Sequence, residues 1–211
     1  MSSAPLSSPQ EPEYAWEVAT LFPEQGGWSE NDYLDLTDQS KRRIEFTGGH
    51  LEFLPVPTEI HEALVQFLFM ALYQFVDQTK CGKVYASGIR LRIPPRKLRL
   101  PDVIFLHKDH FHARHNRVWD AADLVIEVVS PDPKDRHRDY DQKLADYAEG
   151  NVAEYWIVDP DQQRVIIHRL DGGQYVPHGD FAPGQHAASA LLKGFTVSVA
   201  DLFAVLNDIP E

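Results

Sequence analysis

The sequence predicts a mixed α/β fold, a β-sheet with helices packed on its faces. Three observations predict it. Residues 123–129 form a near-continuous apolar run, the kind of strand that lies in the middle of a sheet. After Thr58 comes a long amphipathic segment, with Ile60, Leu64, Phe67, Leu68, Ala71, Leu72 and Phe75 at helical spacing. Along the whole chain, helix-period and strand-period segments alternate, and helices stacked on a mixed sheet bury both most economically.

Taken in order, Ser29 caps a short helix that runs through Asp38. Two strands, 43–46 and 50–54, flank Thr47-Gly48-Gly49 as a hairpin. Thr58 caps the long helix. Strands follow at 83–86 and 89–93; in the second, Ile89, Leu91 and Ile93 face one side while Arg90 and Arg92 face the other. Pro94-Pro95 breaks the ladder in a protruding turn. A short strand covers 102–106, then a polar, irregular, partly helical stretch covers 107–122. The central strand ends at Ser130-Pro131-Asp132-Pro133, and a helix runs from about Lys134 to Glu149, stopped by Gly150. Strands at 154–158 and 164–170, a weaker one at 195–197 and a helix at 200–206 close the chain.

The chain has 211 residues, 43% hydrophobic and 25% charged, with a formal net charge of −12. That excludes a disordered chain, a collagen-like repeat and a disulfide scaffold. An acidic protein needs a local basic patch to meet nucleic acid. One cysteine, Cys81, makes neither an internal disulfide nor a cysteine-based zinc site, and points to a reducing compartment. The first residues carry no secretory pattern, and the most apolar stretch, 64–76, falls short of a membrane span. The expectation is a cytoplasmic protein without membrane association. Residues 1–27, rich in Ser, Pro and Glu, read as a flexible segment, and 28–211 as one domain.

Three residues require explanation. Glu127 interrupts the central apolar strand, sharing a face with Val125 and Val129. A buried carboxylate needs a cation, a metal or a hydrogen-bond network; an arginine ion pair would also satisfy it. Asp102 begins the preceding strand, where a turn hydrogen bond is its ordinary role. Two carboxylates on neighbouring strands repel unless something positive lies between them, and Mg²⁺ or Mn²⁺ suits oxygen donors. Lys143 lies on the inward stripe of its helix with Tyr140, Leu144 and Tyr147. It snorkels, pairs with Asp139 four residues back, or reaches the carboxylate pair. Two acids, a metal and a lysine are the parts of metal-dependent phosphodiester hydrolysis.

Pro101-Asp102-Val103, the run from Asp123 to Pro131, Lys143 to Tyr147 and Glu154 to Pro160 together resemble the Uma-two family of bacterial proteins, within the restriction-endonuclease-like PD-(D/E)XK superfamily. The resemblance spans roughly Trp28 to Leu206. It implies a restriction-endonuclease-like mixed sheet flanked by helices, and a Mg²⁺- or Mn²⁺-dependent endonuclease acting on DNA. Asp102 falls on the motif aspartate and Glu127 on the motif acid, both as metal ligands. Val129 occupies the usual lysine position, and Lys143 matches the lysine that this family takes from the next helix. His61, at the start of the long helix, matches a position that touches a phosphate or metal-bound water, although a plain hydrogen bond also suits it. Glu45 is either a supporting carboxylate or an exposed hairpin residue. By analogy with superfamily members that cut both strands, a homodimer is one expectation, and a small single-domain enzyme could as easily be a monomer.

Arg90, Arg92, Arg96, Lys97 and Arg99 form a basic run suited to the DNA backbone, or to a solvated strand face and loop. His107, His110, His112 and His115 read as a solvated loop. Two rival functions remain. One is a catalytically inactive nuclease-like module that binds or regulates; the other is a carboxylate-pair glycosidase, which would need neither metal nor Lys143.

Overall fold

The computed structural model describes residues 22–210. Met1–Leu21, most of the segment expected to be flexible, lie outside the described residues. Helix α1 spans Glu30–Gln39 and is capped by Ser29, which exchanges hydrogen bonds with Asp32 in a capping box. Strands β1 (Ile44–Thr47) and β2 (His50–Phe53) form the expected hairpin around Gly48-Gly49. Helix α2 (Glu59–Thr79) is capped by Thr58, whose hydroxyl accepts from the His61 N–H. Its buried stripe is His61, Leu64, Val65, Leu68, Leu72 and Val76, so Ile60 is exposed instead of inward.

Strands β3 (Gly82–Ala86), β4 (Arg90–Ile93), β5 (Lys97–Arg99) and β6 (Val103–His107) follow. The sequence reading stopped its ladder at Pro94-Pro95; here the chain turns and resumes as β5, antiparallel to β4. A 3₁₀ turn (Lys108–Ala113), the short β7 (Val118–Trp119) and the central β8 (Leu124–Val128) come next. The expected helix after β8 is three pieces in line: α3 (Pro133–His137), a π turn (Arg138–Gln142) and α4 (Lys143–Glu149). Then come β9 (Glu154–Asp159), β10 (Arg164–Asp171), β11 (Gln174–Phe181), β12 (His186–Ala188), β13 (Thr196–Ser198) and α5 (Val199–Ala204). No described helix is long and apolar enough to cross a membrane.

Instead of one sheet there are two large ones. The first has strand order β2-β1-β5-β4-β7, the second β11-β10-β9-β8-β6-β3, and β12 pairs with β13 alone. One face of the second sheet packs Leu124, Ile126 and Val128 against Leu64, Leu68 and Leu72 of α2. Its other face packs Val125, Val129 and Ile157 with Leu91 and Ile93 of the first sheet and Tyr147 of α4. Glu127 belongs to this second face, where the two sheets and α4 meet.

Two local features generate predictions. Gly48 and Gly49 both have positive φ, +57° and +94°. A Cβ on Gly48 would meet open space, whereas one on Gly49 would lie 2.3 Å from the Gly26 carbonyl oxygen. Gly48→Ala should cost about 1 kcal/mol in urea unfolding, from backbone conformation alone. Gly49→Ala should cost more than ~2 kcal/mol, because backbone must also shift; equal losses would contradict this packing. Asp159, buried at the end of β9, accepts from Tyr140 (2.6 Å), Arg136 and the Gln162 N–H (3.1 Å). Burial pushes its carboxyl up, and these donors outweigh burial and hold it below the usual range. Its contribution is complete above about pH 4, the unfolded value, and is lost as pH falls through the lowered folded value. Asp159→Asn should flatten that acid limb of stability; an unchanged slope below pH 4 would contradict it.

Candidate active site

The site begins with strand register. β6 runs antiparallel to β8 with Val103 opposite Ile126. Carried one residue further, that register sets Asp102 opposite Glu127. The Val128 N–H donates to Asp102 Oδ2 at 3.0 Å, which ties the aspartate across the strands. Both carboxylates are almost completely buried, with Asp102 3% and Glu127 2% exposed.

Lys143 is the first residue of α4 and is 2% exposed. The π turn brings it in, with its N–H bonding to the Arg138 carbonyl five residues back. Lys143 Nζ lies 2.8 Å from Glu127 Oε2, 3.3 Å from Asp139 Oδ1 and 3.9 Å from Glu45 Oε1. Lys143 therefore takes two of the roles its sequence position offers, pairing with Asp139 and with Glu127. The hydroxyl of Tyr147, one turn along, donates to Glu127 Oε1.

His61 Nε2 lies 3.1 Å from Asp102 Oδ2, and its Nδ1 is buried without a hydrogen-bond partner. Arg43, just before β1, donates to Asp102 Oδ1 at 2.9 Å. Glu45 on β1 is completely buried, which corrects the exposed-hairpin reading. It accepts from Arg99 and from the Leu100 N–H, both at 3.0 Å, because β5 lies beside β1. The structure thus brings all four expected residues, His61, Asp102, Glu127 and Lys143, around one small cavity of about 20 Å³. Arg43, Arg138 and Asp139 line it too. Sequence reasoning missed Arg43 and Arg138, and named Asp139 only as a partner of Lys143.

Charges divide sharply. Burial raises Asp102, but the His61 hydrogen bond and the charges of His61, Lys143 and Arg43 outweigh it and hold this carboxyl far below its usual value. Glu127 is pushed well above its usual range, first by burial and then by the Asp102, Asp139 and Glu45 carboxylates, which together overcome Lys143. Asp139 is raised by burial as well. Lys143 is held charged, because those four carboxylates outweigh its burial.

A hard divalent cation fits this donor set chemically. Asp102 and Glu127 would be its oxygen donors, from opposed positions on neighbouring strands. Mg²⁺ typically takes one or two carboxylates and fills its shell with water and substrate phosphate. Among the described residues, no group of three or more His, Cys, Asp or Glu side chains is arranged to hold a metal.

The basic run is corrected. Arg99 is buried against Glu45 and Asp146 (2.5 Å), since β5 turns its side chain inward. Arg92 pairs with Glu30 (2.5 Å) and Asp120, Arg90 with Asp38 (3.0 Å), and Lys97 with Asp146 (2.7 Å) and Glu149. Among the described residues, only Arg96 of the five lacks a carboxylate partner. The run is internal cross-linking for the most part, and offers little surface to DNA.

The profile of the Uma2 (Uma-two) family, described as "Putative restriction endonuclease", matches residues 30–200. The chain belongs to the Uma2 family. A solved structure described as a "putative nuclease belonging to DUF820", from Anabaena variabilis ATCC 29413, is similar with a TM-score of 0.63. It is 19% identical, over 82% of this chain and 98% of that one, and at that identity the likeness is one of fold. No curated protein matches the chain. This Uma2 protein is therefore restriction-endonuclease-like, with the mixed nuclease-like fold its sequence predicts.

The buried pairing yields a prediction. Lys143→Met strands Glu127 and Asp139 without their cation and should cost roughly 3–5 kcal/mol in urea unfolding. Adding Glu127→Gln should recover part of that loss. Strictly additive losses would show that the 2.8 Å contact carries no coupling.

Proposed function

We propose that this Uma2 protein is a metal-dependent endonuclease that hydrolyses phosphodiester bonds in DNA. The observation that carries the reading is the meeting of Asp102, Glu127 and Lys143 at one cavity, from two strands and a helix. Asp102 and Glu127 would hold Mg²⁺ or Mn²⁺. Such an ion, when bound, polarises the phosphoryl group and lowers the pKa of water. Attack by water on phosphorus breaks the P–O bond to the leaving sugar oxygen. Lys143, held charged, stabilises negative charge that develops on the phosphate or orients the attacking water. His61 presents its unpartnered Nδ1 for a hydrogen bond to water or phosphate. Arg43 holds Asp102 in place.

An inactive binding module has one observation in its favour. Every oxygen of Asp102 and Glu127 already has a protein partner. The two readings separate in one experiment. Purified protein should cleave DNA with Mg²⁺ or Mn²⁺ and stop with EDTA. Asp102→Asn and Glu127→Gln should abolish both cleavage and Mn²⁺ binding by calorimetry. Lys143→Met should lower the rate about 10²–10³-fold while Mn²⁺ still binds. Absence of cleavage on every form of DNA would leave the binding module as the function.

A further inference from the structure

The catalytic cavity is the middle of three connected depressions. All three share Pro55 and Pro57, which lie in the loop between β2 and α2. On one flank is a basic groove of about 450 Å³, lined by Lys41, Arg42, Arg43 and Phe53. Lys41, Arg42 and Phe53 are exposed, and the Arg42 guanidinium lies over the Phe53 ring at 5.8 Å. Among the described residues, neither Lys41 nor Arg42 meets a carboxylate, in contrast to most of the run from Arg90 to Arg99. On the other flank is an apolar groove of about 360 Å³, lined by Ile60, Pro131, Pro160 and Leu206, and by Val56, which also lines the basic groove. It shares His61 and Ser130 with the catalytic cavity. Val56 is 90% exposed, and Ile60 turns outward into this groove.

We propose that the site acts on unpaired DNA, with the backbone tracking along Lys41 and Arg42, one base against Phe53, and a base beyond the scissile phosphate seated in the apolar groove. This rests on the nuclease reading and names its substrate class. Three physical arguments carry it. Cations interleaved with an aromatic ring form the groove that tracks a single strand and stacks its bases. The apolar groove has Asp132, Asp135 and Asp161 at its edge, which disfavours phosphate and leaves an uncharged base as the occupant. The carboxylates are buried between the sheets beside the loop carrying Pro55 and Pro57. A flexible strand delivers a phosphate there, whereas a stiff duplex holds its phosphates on the outside of a rod.

The test uses the full chain and a fluorescein-labelled DNA strand of roughly 12 nucleotides, alone or annealed to its complement. Anisotropy is read with Mg²⁺ and again with EDTA, and the same samples are run on denaturing gels. The single strand should bind about tenfold more tightly than the duplex. Arg42→Ala with Phe53→Ala, both at exposed positions, should weaken it roughly tenfold or more. Arg42→Ala alone should make the salt dependence of binding shallower by about 0.7 in log–log slope. Ile60→Asp, at an exposed position that lines neither the basic groove nor the cavity, should weaken binding through the apolar flank. Equal or tighter duplex binding, no binding of either form, or indifference to these substitutions would overturn the proposal. A duplex that is bound and cut in preference would overturn it and leave the nuclease reading standing. A single strand bound but never cut would overturn the nuclease reading and, with it, the claim that the site acts on this substrate.

Discussion

The Lys143 ammonium is the charge on which the rest of the site depends. Four carboxylates, Glu45, Asp102, Glu127 and Asp139, converge where two sheets and a helix meet, and all are buried. Lys143 lies within 4 Å of three of them. Arg43, Arg99 and Arg138 supply the remaining positive charge around its edges. Such a network is a poor way to gain stability, because desolvating each ion costs about as much as pairing returns. A chain able to place apolar residues throughout this interface, yet carrying ions there, is best explained by chemistry that needs them.

The fold provides that chemistry from elements of different kinds. Neighbouring strands set Asp102 and Glu127 opposite each other, which fixes their spacing by backbone hydrogen bonds. Asp139 and Lys143, four residues apart, would share a face of a regular helix; the π turn adds Arg138, five residues before Lys143, to that side. The first turn of α2 contributes His61, anchored through its N–H to the Thr58 cap. Rigid supports on all sides hold the groups in place, and unpartnered atoms of His61, Arg43 and Arg138 remain near the cavity.

The net charge of −12 is compatible with a nucleic-acid substrate because charge is distributed unevenly. Most arginines of the Arg90–Arg99 run are spent on fastening α1 and α4 to the first sheet. Lys41 and Arg42, which meet no carboxylate among the described residues, lie instead in the groove beside the cavity. Negative charge elsewhere discourages indiscriminate binding along the rest of the surface.

The sequence by itself determined most of the elements and the two carboxylates, while β5, β7, β11 and β12 were not among the strands it predicts. Period-two alternation put Glu127 on a buried face, helical spacing turned Lys143 inward, and caps at Ser29 and Thr58 started the helices where they are found. Those signals are local, since each depends on residues within one or two turns. The tertiary structure alone decided which charges meet. Glu45 and Arg99 looked like surface residues because nothing near either in sequence says that β1 and β5 pair, or that α4 covers them. Arg43 reaches Asp102 across 59 residues of chain. Exposure of a charged side chain is a property of what packs over it, and that is settled by contacts far apart in sequence.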